Sequence, residues 1–423
     1  MSGFMPATLM DWATVVGPVL VLSGGAIALR RRARSKRSAQ TIAAQPRRTA
    51  PPVLHPDWPE IRSPEIRLHR KTVGREAELD ALDVAFLATE RATITPSASL
   101  TATGGMGKST LAREFAVSRA HKYQGVWWVN AQTPEISLFD DVDALGNRIG
   151  AAQIDGEKPL AHAQRIWAEV AARPHPWLIV FDNAPDYSTV EQWLPSGERV
   201  HLLITSREKT WRPDLFQTLE VGRLPEDQAV ELLTQEAGRH DDPAGALALA
   251  RALHCFPLAL VQAGAYAAET TLSFDACRQK VEAIYARNPP DGYPHSVYAT
   301  VEMTMARIEA NAKAGAEAPE GADRGTGADE LTLLALLPWL APEGIDAGLV
   351  LDVAGMDAER GKALRADIPE AIRALAGEGA RLQAAISALA RRSLAREEGA
   401  GPHGRAPPHH RADPAGARCR AGR

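Results

Sequence analysis

The chain has 423 residues, enough for about two or three domains, and a formal net charge of −4, which implies no bulk affinity for nucleic acid. Its three cysteines, Cys255, Cys277 and Cys419, stand in neither CxxC nor zinc-like spacing and read as reduced thiols of a cytosolic body. Charge is uneven: residues 1–75 are strongly basic and the middle of the chain is mildly acidic.

Residues 12–29, WATVVGPVLVLSGGAIAL, are uncharged and mostly apolar. As a helix they would span about 27 Å, close to the roughly 30 Å hydrocarbon core of a bilayer. RRRARSKR follows at 30–37, and no positive charge precedes the apolar run. A secretory signal has the reverse order. Residues 1–37 are therefore expected to be a single transmembrane helix with a basic stop-transfer segment. That puts the N-terminus outside the cell membrane and the bulk of the chain in the cytoplasm. Residues 38–71, punctuated by Pro46, Pro51, Pro52, Pro56, Pro59 and Pro64, read as an extended Pro/Arg-rich linker.

From residue 72 short apolar runs alternate with helical patterns. SASLTA (97–102), GVWWVNA (125–131), WLIVFDN (177–183), VHLLITSR (200–207) and FQTLEV (216–221) predict strands. LAREFAVSRA (111–120) and LAHAQRIWAEVAAR (160–173) predict helices between them. This alternation implies an α/β domain over 72–223, a parallel sheet with helices on both faces. Residues 224–309 show helical periods and no strand runs. Residues 310–329, ANAKAGAEAPEGADRGTGAD, read as a small-residue linker, and 330–398 resume apolar helices.

Residues 102–109, ATGGMGKS, fit a phosphate-binding loop with alanine at its first glycine position. Backbone N–H groups over Gly104, Gly105, Met106, Gly107, Lys108, Ser109 and Thr110 would form an anion nest, and a helix starting at Lys108 would aim its positive end at the same anion. Lys108 could reach the β- and γ-phosphates, and Ser109 could ligate Mg²⁺. Asp182, at the end of the WLIVFDN strand, is the expected second metal-orienting group. Arg207 ends the next strand at the sheet edge where ligands sit; it either senses the γ-phosphate or caps the strand at the surface. Trp127 and Trp128 need no ligand role and read as buried strand aromatics.

VGREAELDAL (73–82), the glycine loop, WLIVFDNA (177–184), LLITSR (202–207) and FPLAL (256–260) follow one another in the order of the NB-ARC branch of the STAND signal-transduction ATPases, which the chain resembles over residues 72–396. YQGVWWVNAQT (123–133) is similar to the second strand of bacterial STAND proteins that carry tetratricopeptide repeats. The resemblance implies a P-loop NTPase domain, an all-α lid over 224–309 and a winged helix over 330–398. It implies a switch that ADP holds closed and that ATP exchange opens and oligomerises, signalling to an unidentified protein effector. It also implies that Val73 and Arg75 sit near adenine and ribose and that Pro257 contacts the base. Cys255 and Phe256 replace the glycine–leucine that precedes this proline in the family. Asn183 stands where many relatives carry a second acid, so ATP hydrolysis is expected to be slow.

A winged helix also suits a STAND-type transcriptional regulator. The anchor and the lack of a basic recognition helix argue against that, and no nucleic-acid partner is expected. A nucleotide-binding scaffold without turnover is the other alternative. From residue 399 the sequence, GAGPHGRAPPHHRADPAGARCRAGR, has no Leu, Ile, Val, Met, Phe, Trp or Tyr, so 399–423 is expected to be disordered. His403, His409 and His410 read as part of that solvated tail rather than as metal ligands. The resemblance places a wing strand with an ADP-sensing histidine here. The abrupt change suggests a shift of reading frame near Gly399, leaving a truncated switch without repeats.

Overall fold

The central strands are apolar at nearly every position, so a sheet built from them has to be covered on both faces. The computed structural model describes residues 59–66, 73–96, 104–209, 211–287, 294–319, 325–336, 375 and 378–394. Its sheet has six parallel strands: β1 (Ile61–Arg62), β2 (Arg91–Pro96), β3 (Gly125–Asn130), β4 (Trp177–Ala184), β5 (Val200–Ser206) and β6 (Gln217–Val221). Their spatial order is β1-β3-β4-β5-β2-β6. Val126, Trp128, Leu178, Val180 and Leu203 pack on one face with residues of α1 (Glu76–Ala88) and α2 (Lys108–Ser118). Trp127, Val129, Ile179, Phe181 and Leu202 pack on the other with α3 (Phe139–Ile149) and α4 (Pro159–Ala171). The strict alternation is the period-two signature of a strand read on both sides. Both tryptophans are core residues. Trp127 Nε1 donates to the Asp141 carbonyl at 2.9 Å, and the Arg113 guanidinium lies 4.6 Å from the Trp128 ring centre.

Four expected strands occur within a residue or so of their predicted ends. The strand preceding the glycine loop is Arg91–Pro96, RATITP, which the apolar runs did not single out. Its β-branched Thr93, Ile94 and Thr95 suit a pleated strand despite their mixed polarity. SASLTA lies outside the described residues.

After β6 come the helices α5 (Glu226–Ala237), α6 (Pro243–Ala252), α7 (Pro257–Thr270), α8 (Phe274–Tyr285) and α9 (His295–Glu317). Leu233, Leu249, Phe256, Leu260 and Phe274 form the heart of their common core. Side-chain caps start two of them: Asp242 accepts from the Gly245 N–H at 2.8 Å and Ser273 from the Ala276 N–H at 3.1 Å. Helix α9 takes up the first part of the expected linker, because ANAKAGAE is rich in the strong helix formers Ala, Lys and Glu. Beyond it, α10 (Gly327–Leu336) and α11 (Gly379–Arg391) share a small core with α9 through Met305, Ile308, Leu333, Leu382 and Leu389. Most of the expected winged helix, the whole of 12–29 and all of 399–423 lie outside the described residues. Among the described residues no helix is long and apolar enough to cross a membrane.

Candidate nucleotide site

The site lies at the carboxyl ends of β2, β4 and β5, where loops of a parallel sheet converge. Strand β5 separates β2 from β4, so a residue ending β5 reaches both neighbours. Helix α2 begins at Lys108 with Gly107 as its N-cap at φ +84°, and Gly105 has φ +82°. Both are left-handed positions that glycine occupies without strain, which answers why the loop needs bare backbone there. No side chain caps α2, so its first-turn N–H groups remain open to an anion.

Asp182 sits at a break in the β4–β5 register between Phe181 and Ala184. Asn183 takes φ +58° there, a conformation asparagine tolerates better than most residues. Such a bulge re-aims the side chains beside it. The Asp182 carboxylate, 8% exposed, turns to the glycine loop. Ser109 Oγ donates to its Oδ1 at 2.7 Å, and Thr205 Oγ1 donates to the same oxygen. Thr205 Oγ1 in turn accepts the Asn183 N–H at 3.0 Å. Among the described residues Oδ2 carries no hydrogen bond. A serine hydroxyl beside a carboxylate oxygen is the hard-oxygen donor set that Mg²⁺ takes, with water and phosphate completing the shell. Ser109 and Asp182 therefore fit a magnesium ion, which would screen the charge of bound phosphates.

Lys108 is 9% exposed and has no salt bridge among the described residues. Burial, and then the nearby charge of Arg207, push its pKa below the ordinary lysine value, against the opposing pull of Asp182. Arg207 is exposed and its guanidinium lies beside Gly104, where a Cβ would stand 3.8 Å from Nη2. Two cations thus face one loop whose carboxylate is already shared with two hydroxyls. Thr110 and Gly104 are exposed on the same loop.

Helix α7, from the segment expected to be a lid, contacts this loop. The Leu258 N–H donates to the Gly105 carbonyl at 3.3 Å, and a Cβ at Gly105 would stand 2.7 Å from Leu258 Cδ2. Pro257 is the first residue of α7, next to that contact. Val73 and Gly74 line a cavity of about 230 Å³ with Gln228, Glu231 and Gln235 of α5. Arg75, expected near the ribose, donates from its guanidinium to the Gly222 carbonyl at 2.8 Å and the Met106 carbonyl at 3.3 Å, and pairs with Glu78 at 2.6 Å. Composition and spacing did not single out Thr205 as a partner of Asp182, or Leu258 as a contact of the loop. A hydroxyl one strand over from the aspartate, at the same sheet edge, was the available signal for Thr205.

Parallel sheet, glycine loop, the helix that follows it and a carboxylate bonded to its first turn make this an α/β P-loop-like fold. No family model matches the sequence, and no curated protein matches it. Among solved structures, a Walker-type ATPase of Pyrococcus abyssi is similar at 14% identity and TM-score 0.34, over 77% of this chain and 93% of that one. The Aeropyrum pernix ORC2 protein, solved with ADPNP and ADP, is similar at 17% identity and TM-score 0.34, over 68% and 81% of the two chains. Cdc6p of Pyrobaculum aerophilum is similar at 12% identity and TM-score 0.32, over 78% and 90%. At these scores the likeness decides nothing about ligand or partner; the chain's own geometry has to.

Proposed function

We propose that this protein is a nucleotide switch that holds ADP or ATP with Mg²⁺ between its sheet and its helical lid, and turns ATP over slowly. The observation that carries this is the convergence of Lys108, Ser109 and Asp182 under a lid bonded to the same loop. Lys108 would neutralise the β- and γ-phosphates, with the α2 N-terminus and the loop N–H groups as further donors. Arg207 would add charge on the γ-side. Asn183 cannot serve as a general base, so the position after Asp182 offers no second acid to activate water. By the family resemblance, exchange of ADP for ATP opens the lid and promotes self-association. Residues 12–29 tether the switch to a membrane in this reading.

The experiment is binding of labelled ADP and ATP, with and without Mg²⁺, to the full chain and to Lys108→Ala, together with steady-state hydrolysis. Binding lost in the variant and turnover far below about 10 s⁻¹, the ordinary enzyme median, support the reading. Equal affinity in the variant sinks it, and zero turnover with intact binding leaves a scaffold in place of a switch. Extraction of the full chain by alkaline carbonate would remove the tether from the account.

A further inference from the structure

Met106, between two glycines of the loop, has its side chain in a core contributed by the helices after β6. Met106 is 0% exposed. Its side chain does not join Leu111 and Phe115 in the core beneath the sheet. It belongs to the core of the lid, with Leu224, Ala229, Phe256 and Leu260. Among the described residues it is the one member of that core contributed from before residue 224. Gly105 and Gly107, both left-handed, flank it.

The backbone around Met106 is tied in the same direction. Its carbonyl accepts from Arg75, and the same guanidinium holds the carbonyl of Gly222, where β6 hands over to the lid. The preceding carbonyl, of Gly105, accepts from Leu258 on α7. The Met106 side chain and the Gly105 carbonyl are therefore held by the lid, and the Met106 carbonyl by the arginine that also holds the hinge. The N–H groups of the same peptides are the ones a phosphate would need.

We propose that Met106 is a positioning residue that couples the phosphate loop to the lid, so that the loop holds its anion-binding form only while the lid is seated. This rests on the nucleotide reading above and assigns its regulation to a thioether in the lid core. Unbranched methionine suits the task, since it fills an irregular gap and can withdraw without leaving a rigid shape behind. Lid opening extracts the side chain, frees the Gly105–Leu258 contact and relaxes the nest, releasing nucleotide. Arg75 keeps loop and hinge in register from the other side.

The test is release of fluorescent ADP from the full chain carrying Met106→Ala, Met106→Leu or Leu258→Ala. Met106→Ala and Leu258→Ala should release ADP about ten-fold faster than wild type, within the ordinary range of site-to-site coupling, and Met106→Leu should restore the wild-type rate. Leu258 is only half-buried, so its variant keeps the test open if Met106→Ala does not fold. Amide exchange supplies a readout that simple destabilisation would not move: saturating ADP should slow exchange at residues 258–262 in wild type and not in Met106→Ala. Wild-type release rates in both alanine variants, or full ADP-dependent protection in Met106→Ala, would overturn the coupling while leaving the nucleotide site intact. Failure of wild type itself to bind ADP would overturn the nucleotide reading and the coupling with it.

Discussion

Two buried cations are treated in opposite ways by this molecule. Arg392, 10% exposed, forks onto both oxygens of Glu269 at 2.9 and 2.8 Å and also pairs with Glu330, which is 0% exposed. Lys108, about as buried, has a carboxylate nearby but no ion pair with it. A charge taken out of water needs a partner, and the protein supplies one for Arg392. At Lys108 it supplies a second cation instead, Arg207, and spends the nearest carboxylate on two hydroxyls. The difference separates a structural ion pair, neutralised internally, from the proposed binding site, whose cation would meet a ligand's charge.

Breaking the internal pair should give the largest effect. Arg392→Ala strands Glu330 in the core joining α10 and α11 and should cost about 3–5 kcal/mol of stability by chemical denaturation. Arg392→Met with Glu330→Leu and Glu269→Gln should recover most of that loss. A stable single variant would mean the triad is not truly desolvated.

The site cation should behave differently when its one negative neighbour is removed. Asp182→Asn should weaken Mg²⁺–ADP binding by about ten-fold or more, since the proposed metal ligand and a carboxylate that acts on Lys108 are lost together. ADP without metal should be affected much less. Equal losses with and without Mg²⁺ would argue against a metal role for Asp182.

Proton linkage sharpens the contrast further. Lys108 has a lowered pKa in the free protein, and bound phosphate favours its charged form. Nucleotide affinity should therefore fall as pH rises through that lowered pKa. Lys108→Arg, if it binds, should show no such decline, because guanidinium stays charged. A flat wild-type profile up to the ordinary lysine range would contradict the shift.

The smallest effect is expected far from the site, at the amino end of β5. His201 stacks on Phe86 at 4.8 Å and bonds Tyr123 at 2.9 Å, and burial pushes its pKa down to about 4. Below the unfolded value near 6.5 the unfolded chain takes up a proton that the folded chain refuses, so stability declines as pH falls from about 6.5 toward 4. His201→Phe should flatten that part of the acid-denaturation curve. An unchanged slope would mean the imidazole is more open to water than its stacking implies.

Much of this was legible in the residues. The glycine loop and the apolar strand ending in Asp182 announced themselves, because phosphate and metal chemistry demand those residue types in a local order. Strand β2 was missed, since RATITP has too little apolar character to stand out and owes its place to neighbours on both sides. The pairing of Thr205 with Asp182 depends on which strands are adjacent, which no local pattern encodes. Arg75 was expected near the ribose from the resemblance alone; its bridge between Met106 and Gly222, residues 31 and 147 positions away, is encoded in no local pattern. Its partners come together only in the tertiary fold. The turn of Met106 into the lid core was hidden for the same reason.

The account stands most directly on whether Lys108 is an unneutralised cation waiting for phosphate. Thermal melting of the wild type and Lys108→Met, each with and without Mg²⁺–ADP, tests it. Without nucleotide the variant should melt at or above the wild type, because a penalised buried charge has been replaced by an apolar chain of similar length. ADP at about 100-fold over its dissociation constant should stabilise the wild type by about 2.7 kcal/mol, a rise of several degrees, and leave the variant unmoved. A free variant that melts well below the wild type, with ADP raising both equally, would show that Lys108 serves the fold and not the ligand.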